Sequence, residues 1–249
     1  MAKTALVTGA SRGIGRAIAV HLARGGFRVA LHYGSNRTAA EETRALLEGG
    51  DHLLFAADLA QENGAAGLAE AVLREFDGRV DVLVHNAGLY LETALLQERS
   101  TEEWSATVRK MMQLNFLAGA DLAHLLVPEM IQRRWGRIIQ IASRSGIRGE
   151  SRFSGYSASK AAQINFAKSL AVELAPHGIG CFAIAPGWVD TDMSAGPLAE
   201  HGDAIRAEIP VGRVASPEDI AQLVAWLATP AADYLTGNTI DVNGASSLG

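Results

Sequence analysis

Two hydrophobic patterns alternate along the chain. Short apolar or β-branched runs are typical of buried strands, and longer stretches with apolar residues every three or four positions are typical of helices. Strands are predicted at Thr4–Thr8, Arg28–Tyr33, His52–Ala57, Val82–His85, Arg137–Ala142, Gly180–Ala185 and Thr239–Val242. Helices are predicted at Ile14–Arg24, Thr38–Glu48, Gly64–Phe76, Thr101–Arg133, Tyr156–Ala175 and Pro217–Ala228.

This alternation indicates an α/β fold. Strands that are apolar on both faces are typical of a seven-stranded parallel sheet covered by helices on both sides. Right-handed crossovers then give a doubly wound, Rossmann-like arrangement. No linker-like stretch divides the sequence, so residues 1–249 are expected to form a single dinucleotide-binding and catalytic domain. Ligands of such sheets bind beyond the carboxyl ends of the strands.

Two stretches depart from the regular pattern. Pro128 lies near the end of the longest helical segment, where a kink or a new turn is expected. Residues 191–209 are weakly patterned and contain Gly196, Pro197 and Gly202. They are expected to form a mobile substrate flap over the site.

Composition narrows the function classes. The net charge is −5, with 27 acidic and 22 basic residues, so no globally basic surface for nucleic acid is expected. The sequence has no uninterrupted apolar run of 18 residues, so no membrane span is predicted. The first strand pattern begins at Thr4, so no signal peptide is predicted. The one cysteine, Cys181, lies in an apolar strand and fits a buried position in a cytoplasmic protein. The histidines lack ligand spacing, so no metal site is predicted.

The first candidate site is a glycine-rich loop between the first strand and the first helix. Glycines let the backbone approach a pyrophosphate closely, and a helix N-terminus supplies N–H donors and positive potential. The spacing differs from the general dinucleotide fingerprint, and a simple tight turn is the alternative, but the strand–helix context favours a dinucleotide. The candidate contacts are Gly9, Ser11, Arg12, Gly13, Ile14 and Gly15.

The second strand lacks the acidic residue that usually holds the ribose hydroxyls of NAD. No Asp or Glu lies between Gly15 and Glu41. Arg12 and Arg37 are instead placed to bind a 2′-phosphate through charge-assisted hydrogen bonds, which predicts NADP(H) as cofactor. The alternative for Arg37 is a solvated side chain at a helix start.

A proton-transfer site is predicted from Ser143, Tyr156 and Lys160. Tyr156 follows the serine by thirteen residues, and Lys160 lies four residues further on the same helix face. The lysine ammonium is expected to lower the pKa of the phenol, so that Tyr156 can act as a general acid or base. Ser143 can donate a hydrogen bond to a carbonyl oxygen as charge develops there. A Tyr–Lys pair alone is more often a surface pair, but the upstream glycine loop and serine favour catalysis.

Two further polar positions stand out. Asn115 interrupts an apolar helix, where asparagine is unfavourable unless its amide is used. It is expected either to bend the helix or to bind a water that relays protons to Lys160. Asn86, Ala87 and Gly88 follow the fourth strand, where they form either a simple turn or a close approach to the cofactor ribose.

Together these residues resemble the short-chain dehydrogenase/reductase family over essentially the whole chain. The resemblance implies that Asn115, Ser143, Tyr156 and Lys160 form a catalytic tetrad, with Lys160 also holding the nicotinamide ribose. It further implies that Asp58 meets the adenine and that Val189 and Thr191 meet the carboxamide end. The motifs are Thr8–Gly15, Asp58, His85-Asn86-Ala87-Gly88, Asn115, Ser143, Tyr156–Lys160 and Pro186, Gly187, Trp188, Val189, Asp190 and Thr191.

Within that family the chain is most similar to β-ketoacyl-[acyl-carrier-protein] reductases in its C-terminal motifs, which are Ile209–Arg213, Ser216–Ala221 and Tyr234–Gly244. The resemblance implies NADPH-dependent reduction of a 3-oxoacyl thioester in fatty-acid or polyketide synthesis. His85 departs from the usual Asn, and the loop from Arg144 to Arg152 is also unusual. A reductase of a free small-molecule ketone or secondary alcohol is therefore the second hypothesis. The third is an NADP(H)-sensing module without catalysis, which is disfavoured because the tetrad is complete.

Carrier-protein binding by an acidic chain needs a local basic patch. One candidate is Arg133, Arg134 and Arg137, and the resembled reductases have a basic residue where Arg134 stands. Their second docking arginine corresponds here to His177. Another candidate is Arg144, Arg148 and Arg152, which are expected to rim the pocket and grip the substrate or its phosphopantetheine arm, or else only to solvate a loop. The surplus of apolar helix positions and the resemblance predict a homotetramer.

Overall fold

The computed structural model describes residues 2–248 and contains one sheet of seven parallel strands in the order β3-β2-β1-β4-β5-β6-β7. The strands are β1 (Thr4–Val7), β2 (Arg28–Tyr33), β3 (Leu53–Ala56), β4 (Val82–His85), β5 (Gly136–Ile141), β6 (Ile179–Pro186) and β7 (Thr239–Val242). All seven predicted strands are present within about two residues of their predicted ends, because a strand buried on both faces gives a continuous apolar run.

The helices connect successive strands. They are α1 (Gly13–Arg24), α2 (Arg37–Ala45), α3 (Gly64–Glu75), α4 (Thr101–Met112), α5 (Ala118–Arg133), α6 (Ser145–Arg148), α7 (Ser154–Leu174), α8 (Ala195–Ala207) and α9 (Pro217–Leu227). Short 3₁₀ turns lie at Ala175–His177 and Pro230–Leu235. Capping boxes start α4 and α9, where Ser100 and Ser216 each accept a backbone N–H from the acidic residue three positions later.

Two apolar clusters cover the two faces of the sheet. One joins α1 and α9 to the sheet through residues such as Ile18 and Val224, and the other joins α3 and α5 through residues such as Leu68 and Leu126. Alanines on these helices bring them close to the strands, which agrees with the low aromatic content of 6%. This packing confirms the predicted α/β fold and holds the carboxyl ends of the strands rigidly at one edge.

The long helical segment is interrupted at Asn115, where a bend was one of the two expectations, and not at Pro128. A π-helical turn spans Gln113–Leu117 between α4 and α5, whereas α5 runs through Pro128 to Arg133. The residue at the centre of the π turn is Asn115. The expectation of a new turn at the proline is therefore wrong, and the distortion lies at the buried asparagine instead.

The segment expected to be a mobile flap contains helix α8. Only His201 departs from helical dihedrals within it. Gly202 and Ile205 are buried, so the helix packs on the body of the protein. The sequence pattern did not predict this helix, because it contacts the protein along one side only. Such a helix needs few apolar positions, so its apolar periodicity is weak.

The stretch Thr101–Arg133 is long and apolar enough to cross a membrane by length and composition alone, with a mean hydropathy of 1.2 over its most apolar window. Its residues Leu122, Leu126 and Met130 are fully buried in the cluster that also contains α3 and β5. A core helix of a globular domain passes the same test, so this stretch is weak evidence for a membrane span.

Candidate active site

A cleft of about 600 Å³ opens at the carboxyl ends of the strands. It lies beside β1 and β4, where the strand order reverses, which is the expected ligand position in a doubly wound sheet. Most predicted site residues line this one cleft: Gly9, Ser11, Arg12, Gly13, Ile14, Asp58, Asn86, Ala87, Gly88, Ser143, Tyr156, Lys160, Pro186, Gly187, Val189 and Thr191. Gly15, Arg37 and Asn115 lie outside its lining.

The glycine loop is built for close backbone approach. Gly9 has a φ of +64°, and a Cβ placed there would lie 3.0 Å from the Cα of Ala87. A Cβ on Gly15 would lie 2.1 Å from the carbonyl oxygen of Gly9, so this glycine allows α1 to start directly beneath the loop. The first turn of α1 contains no acidic residue. The N-terminus of α1 therefore presents N–H groups to an anion in the cleft.

Two side chains hold the loop in this position. Asn86 donates from Nδ2 to the carbonyl oxygens of Thr8 at 3.0 Å and Gly9 at 3.1 Å. His32, at the end of β2, accepts the Gly9 N–H at 3.1 Å through Nδ1 and donates from Nε2 to the carbonyl of Ala57 at 3.1 Å. The sequence analysis did not identify His32, which ties β2, β3 and the loop together.

The groove beyond β2 is lined by Gly34, Ser35 and Asn36 and has no acidic residue at the predicted ribose position. Arg12 lines the groove and forms an exposed ion pair with Asp192 at 3.2 Å. Arg37 pairs with Glu41 at 2.8 Å, and its side chain is 74% exposed. Of the two predicted phosphate ligands, only Arg12 faces the groove in this structure, because Arg37 starts α2 and follows that helix outward.

Asp58 and the segment after β6 close the two ends of the cleft. The Asp58 carboxylate accepts the N–H of Ala60 at 3.0 Å, which fixes its turn at the groove edge. Ser194 donates to the carbonyl oxygen of Val189 at 2.5 Å and accepts the N–H of Thr191 at 3.1 Å. Thr191 lies over the glycine loop, since a Cβ on Gly13 would be 3.2 Å from its Cγ2.

Ser143, Tyr156 and Lys160 meet at the centre of the cleft. Ser143 follows β5 and its Oγ accepts the N–H of Ser145 at 3.1 Å. Tyr156 is in the first turn of α7, and the Nζ of Lys160 lies 5.7 Å from the centroid of its ring. Lys160 donates to the carbonyl oxygen of Ile141 at 2.8 Å. The predicted triad is therefore brought together in space.

The protonation of this triad differs from the sequence prediction. Desolvation in the pocket raises the pKa of Tyr156 to about 12, although a hydrogen bond from Ser143 opposes the shift. Desolvation also lowers the pKa of Lys160 to about 7. The expected lowering of the phenol pKa is wrong, because burial outweighs a lysine that is itself partly neutral. Tyr156 therefore holds its proton, as a general acid must before it acts.

Asn115 acts as a clamp on the backbone. Its Oδ1 accepts the Leu89 N–H at 2.7 Å, and its Nδ2 donates to the Leu89 carbonyl at 3.0 Å and to the Oγ of Ser159 at 2.9 Å. The amide thus joins the loop after β4 to α7, the helix that carries Tyr156 and Lys160. This clamp was not predicted: the polar atoms of Asn115 contact Leu89 and Ser159, and the expected water relay to Lys160 stays a prediction.

His85 supports the π turn from below. Thr8 Oγ1 accepts the N–H groups of Asn86 and Ala87, so its own proton points to Nδ1 of His85 at 3.2 Å. Nε2 of His85 then carries the proton and donates to the carbonyl of Asn115 at 3.1 Å. Gly119 leaves room for the ring, since a Cβ there would lie 2.4 Å from its Cδ2. The neutral imidazole thus links Thr8 to the π turn.

Acidification is expected to destabilise the fold through His32 and His85. Desolvation lowers their pKa values to about 4 and about 3, both below the unfolded value of 6.5. Above pH 6.5 both histidines are neutral in the folded and the unfolded chain. As the pH falls from 6.5 towards the folded pKa values, the unfolded chain binds protons that the folded chain does not, so the folded state loses stability. The free energy of unfolding should decrease by about 2 kcal/mol for each histidine between about pH 7 and about pH 5.

Urea denaturation at the two pH values measures this loss, and His85→Asn should reduce it by about half. Substitution of the exposed His201 serves as the control. A free energy of unfolding that does not change between the two pH values would show that neither histidine is buried in its neutral form.

A chain of buried amides extends behind the lysine. Lys160 Nζ donates to Gln163 Oε1 at 2.8 Å, and Gln163 Nε2 donates to Gln140 Oε1 at 3.1 Å. Both glutamines are buried between β5 and α7. They orient the ammonium, and the sequence analysis missed them because isolated glutamines carry no motif.

The end of the cleft beyond Tyr156 has an aromatic wall. Tyr90 stacks on Phe153 with ring centroids 4.3 Å apart and meets Tyr156 edge-on at 4.8 Å. Trp188 lies edge-on to Tyr90 at 6.4 Å. The position of this wall beside the reacting groups makes it the candidate substrate pocket.

The two predicted basic patches are only partly exposed. Arg137 is 1% exposed and donates to the carbonyls of Leu227 and Thr229, so it is unavailable to a partner. Arg133 binds the Val80 carbonyl, which leaves Arg134 as the exposed member of the first patch, with one hydrogen bond from its Nη2 to the Pro176 carbonyl at 3.1 Å. The sequence could not show that Arg137 points into the protein.

The second basic patch, Arg144, Arg148 and Arg152, also has only one member that is both exposed and unpaired among residues 2–248. Arg152 forms ion pairs with Glu92 and Glu98, and Arg144 is buried in the cleft wall. Only Arg148 is both exposed and free of an ion pair with another of residues 2–248. Within the same range, no cluster of three or more His, Cys, Asp or Glu side chains is placed to hold a metal ion.

Comparison with known proteins agrees with this geometry. The family model described as enoyl-(acyl carrier protein) reductase matches residues 9–246. A 3-oxoacyl-[acyl-carrier-protein] reductase of Synechocystis is 39% identical over 98% of this chain and 96% of its own length. The enzyme of that description from Vibrio cholerae is 38% identical over 97% and 96%. An uncharacterized oxidoreductase of Bacillus subtilis is 39% identical over 98% of both chains.

A solved structure shares the fold. It is described as a candidate NAD(P)-dependent gluconate 5-dehydrogenase from Beutenbergia cavernae with NADP bound at low occupancy. It superposes with a TM-score of 0.88, is 37% identical, and covers 98% of this chain and 96% of its own. The full-length family match and relatives show that this chain is an oxidoreductase that belongs to the short-chain dehydrogenase/reductase family.

Proposed function

We propose that this enzyme uses NADPH to reduce a ketone, and that the ketone is the 3-oxoacyl thioester of an acyl-carrier protein, which becomes the 3-hydroxyacyl product. The observation that carries the proposal is the position of Ser143, Tyr156 and Lys160 in the same cleft as the glycine loop. The cofactor fits, because Gly9 and Gly13 leave space along the N-terminus of α1 and no carboxylate stands at the end of β2.

Bound NADPH would supply a hydride to the carbonyl carbon. The residues of the chain supply the proton and the charge stabilisation. Tyr156 donates its phenol proton to the carbonyl oxygen, and Ser143 donates a hydrogen bond to the same oxygen. Lys160, oriented by Gln163, stabilises the tyrosinate that results. Asn115 keeps α7 in register with the loop after β4.

Relatives in two organisms support the thioester substrate, since both are described as 3-oxoacyl-[acyl-carrier-protein] reductases. A free small ketone or secondary alcohol is the second candidate. The structural neighbour described as a gluconate 5-dehydrogenase favours it, as does the polar wall formed by Arg144 and Glu150. The two candidates differ in whether a carrier protein must dock.

Charge reversal at Arg134 is expected to raise the KM for a carrier-bound 3-oxoacyl substrate by about tenfold and to leave kcat with a small free ketone unchanged. Arg134 is exposed beside β5 and can attract an acidic carrier protein over a long range. Steady-state kinetics of Arg134→Glu with both substrate types measures the effect, and Lys110→Glu on exposed α4 is the matched control. Unchanged carrier-protein kinetics in Arg134→Glu would favour the free ketone.

We also propose that the enzyme is a cytoplasmic homotetramer with D₂ symmetry. Exposed apolar side chains at several helix and turn positions support an assembly, because burying them would remove apolar surface from water. They are Leu117, Leu125, Val172, Trp226 and Tyr234. Light scattering is expected to give four times the chain mass of 26.3 kDa, and a stable monomer would contradict the assembly.

A further inference from the structure

Arg144 is a buried cation directly beside the reacting groups. It follows Ser143, lines the same cleft and is 4% exposed. Its backbone N–H donates to the Pro186 carbonyl at 3.0 Å, which places it between β5 and the segment after β6. Its Nη1 donates to the Oγ of Ser246 at 2.6 Å. The guanidinium is therefore held in the wall of the cleft that contains the reacting groups.

The charge of this guanidinium is poorly compensated. Among residues 2–248 the one ion pair within reach is Glu208 at 3.9 Å, and that side chain is 60% exposed. Desolvation lowers the pKa of Arg144, and the neighbouring Arg148 lowers it further. A buried arginine normally has a close carboxylate partner. Arg144 thus has capacity for another anion.

Glu150 lines the same pocket and its charge raises the pKa of Arg144, but among residues 2–248 no ion pair joins the two side chains. The Glu150 carboxylate accepts hydrogen bonds from the hydroxyl groups of Tyr90, with an O–O distance of 3.1 Å, and of Ser145, with an O–O distance of 2.6 Å. Those two hydroxyls hold its carboxylate against the aromatic wall. The guanidinium has only one distant and exposed carboxylate partner among residues 2–248, whereas the Glu150 carboxylate already accepts two hydrogen bonds. This asymmetry favours an anionic group at Arg144.

We propose that Arg144 is a specificity-determining residue that binds an anionic group, a carboxylate, on the substituent of the substrate ketone. Among ketones that are not bound to a carrier protein, the preferred class is thus one that carries a carboxylate within a few bonds of the reacting carbonyl. This inference rests on the proposed ketone reduction and does not depend on a carrier protein. Arginine suits the role because its planar fork can bind both oxygens of a carboxylate.

The test compares matched pairs of ketones. A series of methyl ketones that end in a carboxylate, beginning with levulinate, is assayed with NADPH, and each acid is compared with its methyl ester. The wild type is expected to prefer the acid by about tenfold or more in kcat/KM at the best chain length, as expected for a charged hydrogen bond. In Arg144→Leu this ratio should fall to about one.

Three further variants separate recognition from a structural role. Arg148→Leu removes a neighbouring exposed arginine and should retain the preference for the acid. Ser246→Ala removes the hydrogen bond that Arg144 donates but keeps the charge of Arg144, so this variant should also retain most of the preference for the acid. Arg144→Lys keeps the charge without the fork and should give an intermediate ratio. NADPH affinity, measured by fluorescence, shows that each variant is folded.

A binding measurement keeps the test independent of turnover. Saturation-transfer NMR with levulinate and its ester should detect the acid on the wild type and not on Arg144→Leu. If NADPH binds but neither ketones nor carrier thioesters are reduced, the proposed function fails, and this measurement still decides the role of Arg144. Equal binding and turnover of acid and ester in the wild type, or an unchanged preference in Arg144→Leu, would overturn the inference.

Discussion

Replacing Tyr156 with phenylalanine is expected to lower kcat by about 100- to 10,000-fold while NADPH still binds. The substitution removes only the phenol oxygen, and the ring keeps its edge-on contact with Tyr90. Desolvation raises the pKa of Tyr156 to about 12, so the phenol holds its proton until the substrate oxygen becomes negative. Phenylalanine has no proton to give.

Single-turnover kinetics and NADPH fluorescence titration on the same preparation separate the two effects. Tyr234→Phe is the matched control, because that tyrosine is fully exposed and far along the chain from the tetrad. Turnover in Tyr156→Phe within a few-fold of the wild type would show that another group supplies the proton.

Removing Arg12 is expected to weaken NADPH binding by about 10- to 100-fold and to leave NADH binding nearly unchanged. The cofactors differ only in the 2′-phosphate, and Arg12 is the predicted phosphate ligand that lines the groove. Its exposed pair with Asp192 is a weak competitor, because ion pairs in water contribute little free energy.

Arg37→Ala is the informative comparison. Its guanidinium is engaged by Glu41 outside the groove lining, so the loss of NADPH affinity should be clearly smaller than in Arg12→Ala. Titration of both variants with both cofactors measures the difference. Equal losses of NADPH and NADH affinity in Arg12→Ala would contradict electrostatic recognition of the phosphate.

The sequence predicts the sheet and the catalytic motifs because these depend on local patterns. A strand buried on both faces is apolar at every position, and the spacing of Tyr156 and Lys160 fixes their helix face. Desolvation depends on the whole pocket, so the raised pKa of the phenol could not be predicted from spacing. The direction of Arg137 into the protein depends on carbonyls of Leu227 and Thr229, some ninety residues away.

The same reasoning explains which site residues were missed. His32 hydrogen-bonds Gly9 and Ala57, and Gln163 links Lys160 to Gln140 on β5. Contacts between residues more than twenty positions apart leave no repeat or motif in the sequence. Helix α8 was missed because its buried positions are few. Asn115 was identified because a polar residue within an apolar helix violates a local preference.

The π turn at Gln113–Leu117 changes the phase of the long helix. One additional residue in a turn rotates every later side chain by about 100° around the helix axis relative to an unbroken α-helix. The part before the turn packs on α7, and the part after it directs Leu122 and Leu126 into the cluster shared with α3. A single helix can thereby serve two neighbours that lie in different directions, and the polar residue that clamps the active site sits at the point where the direction changes.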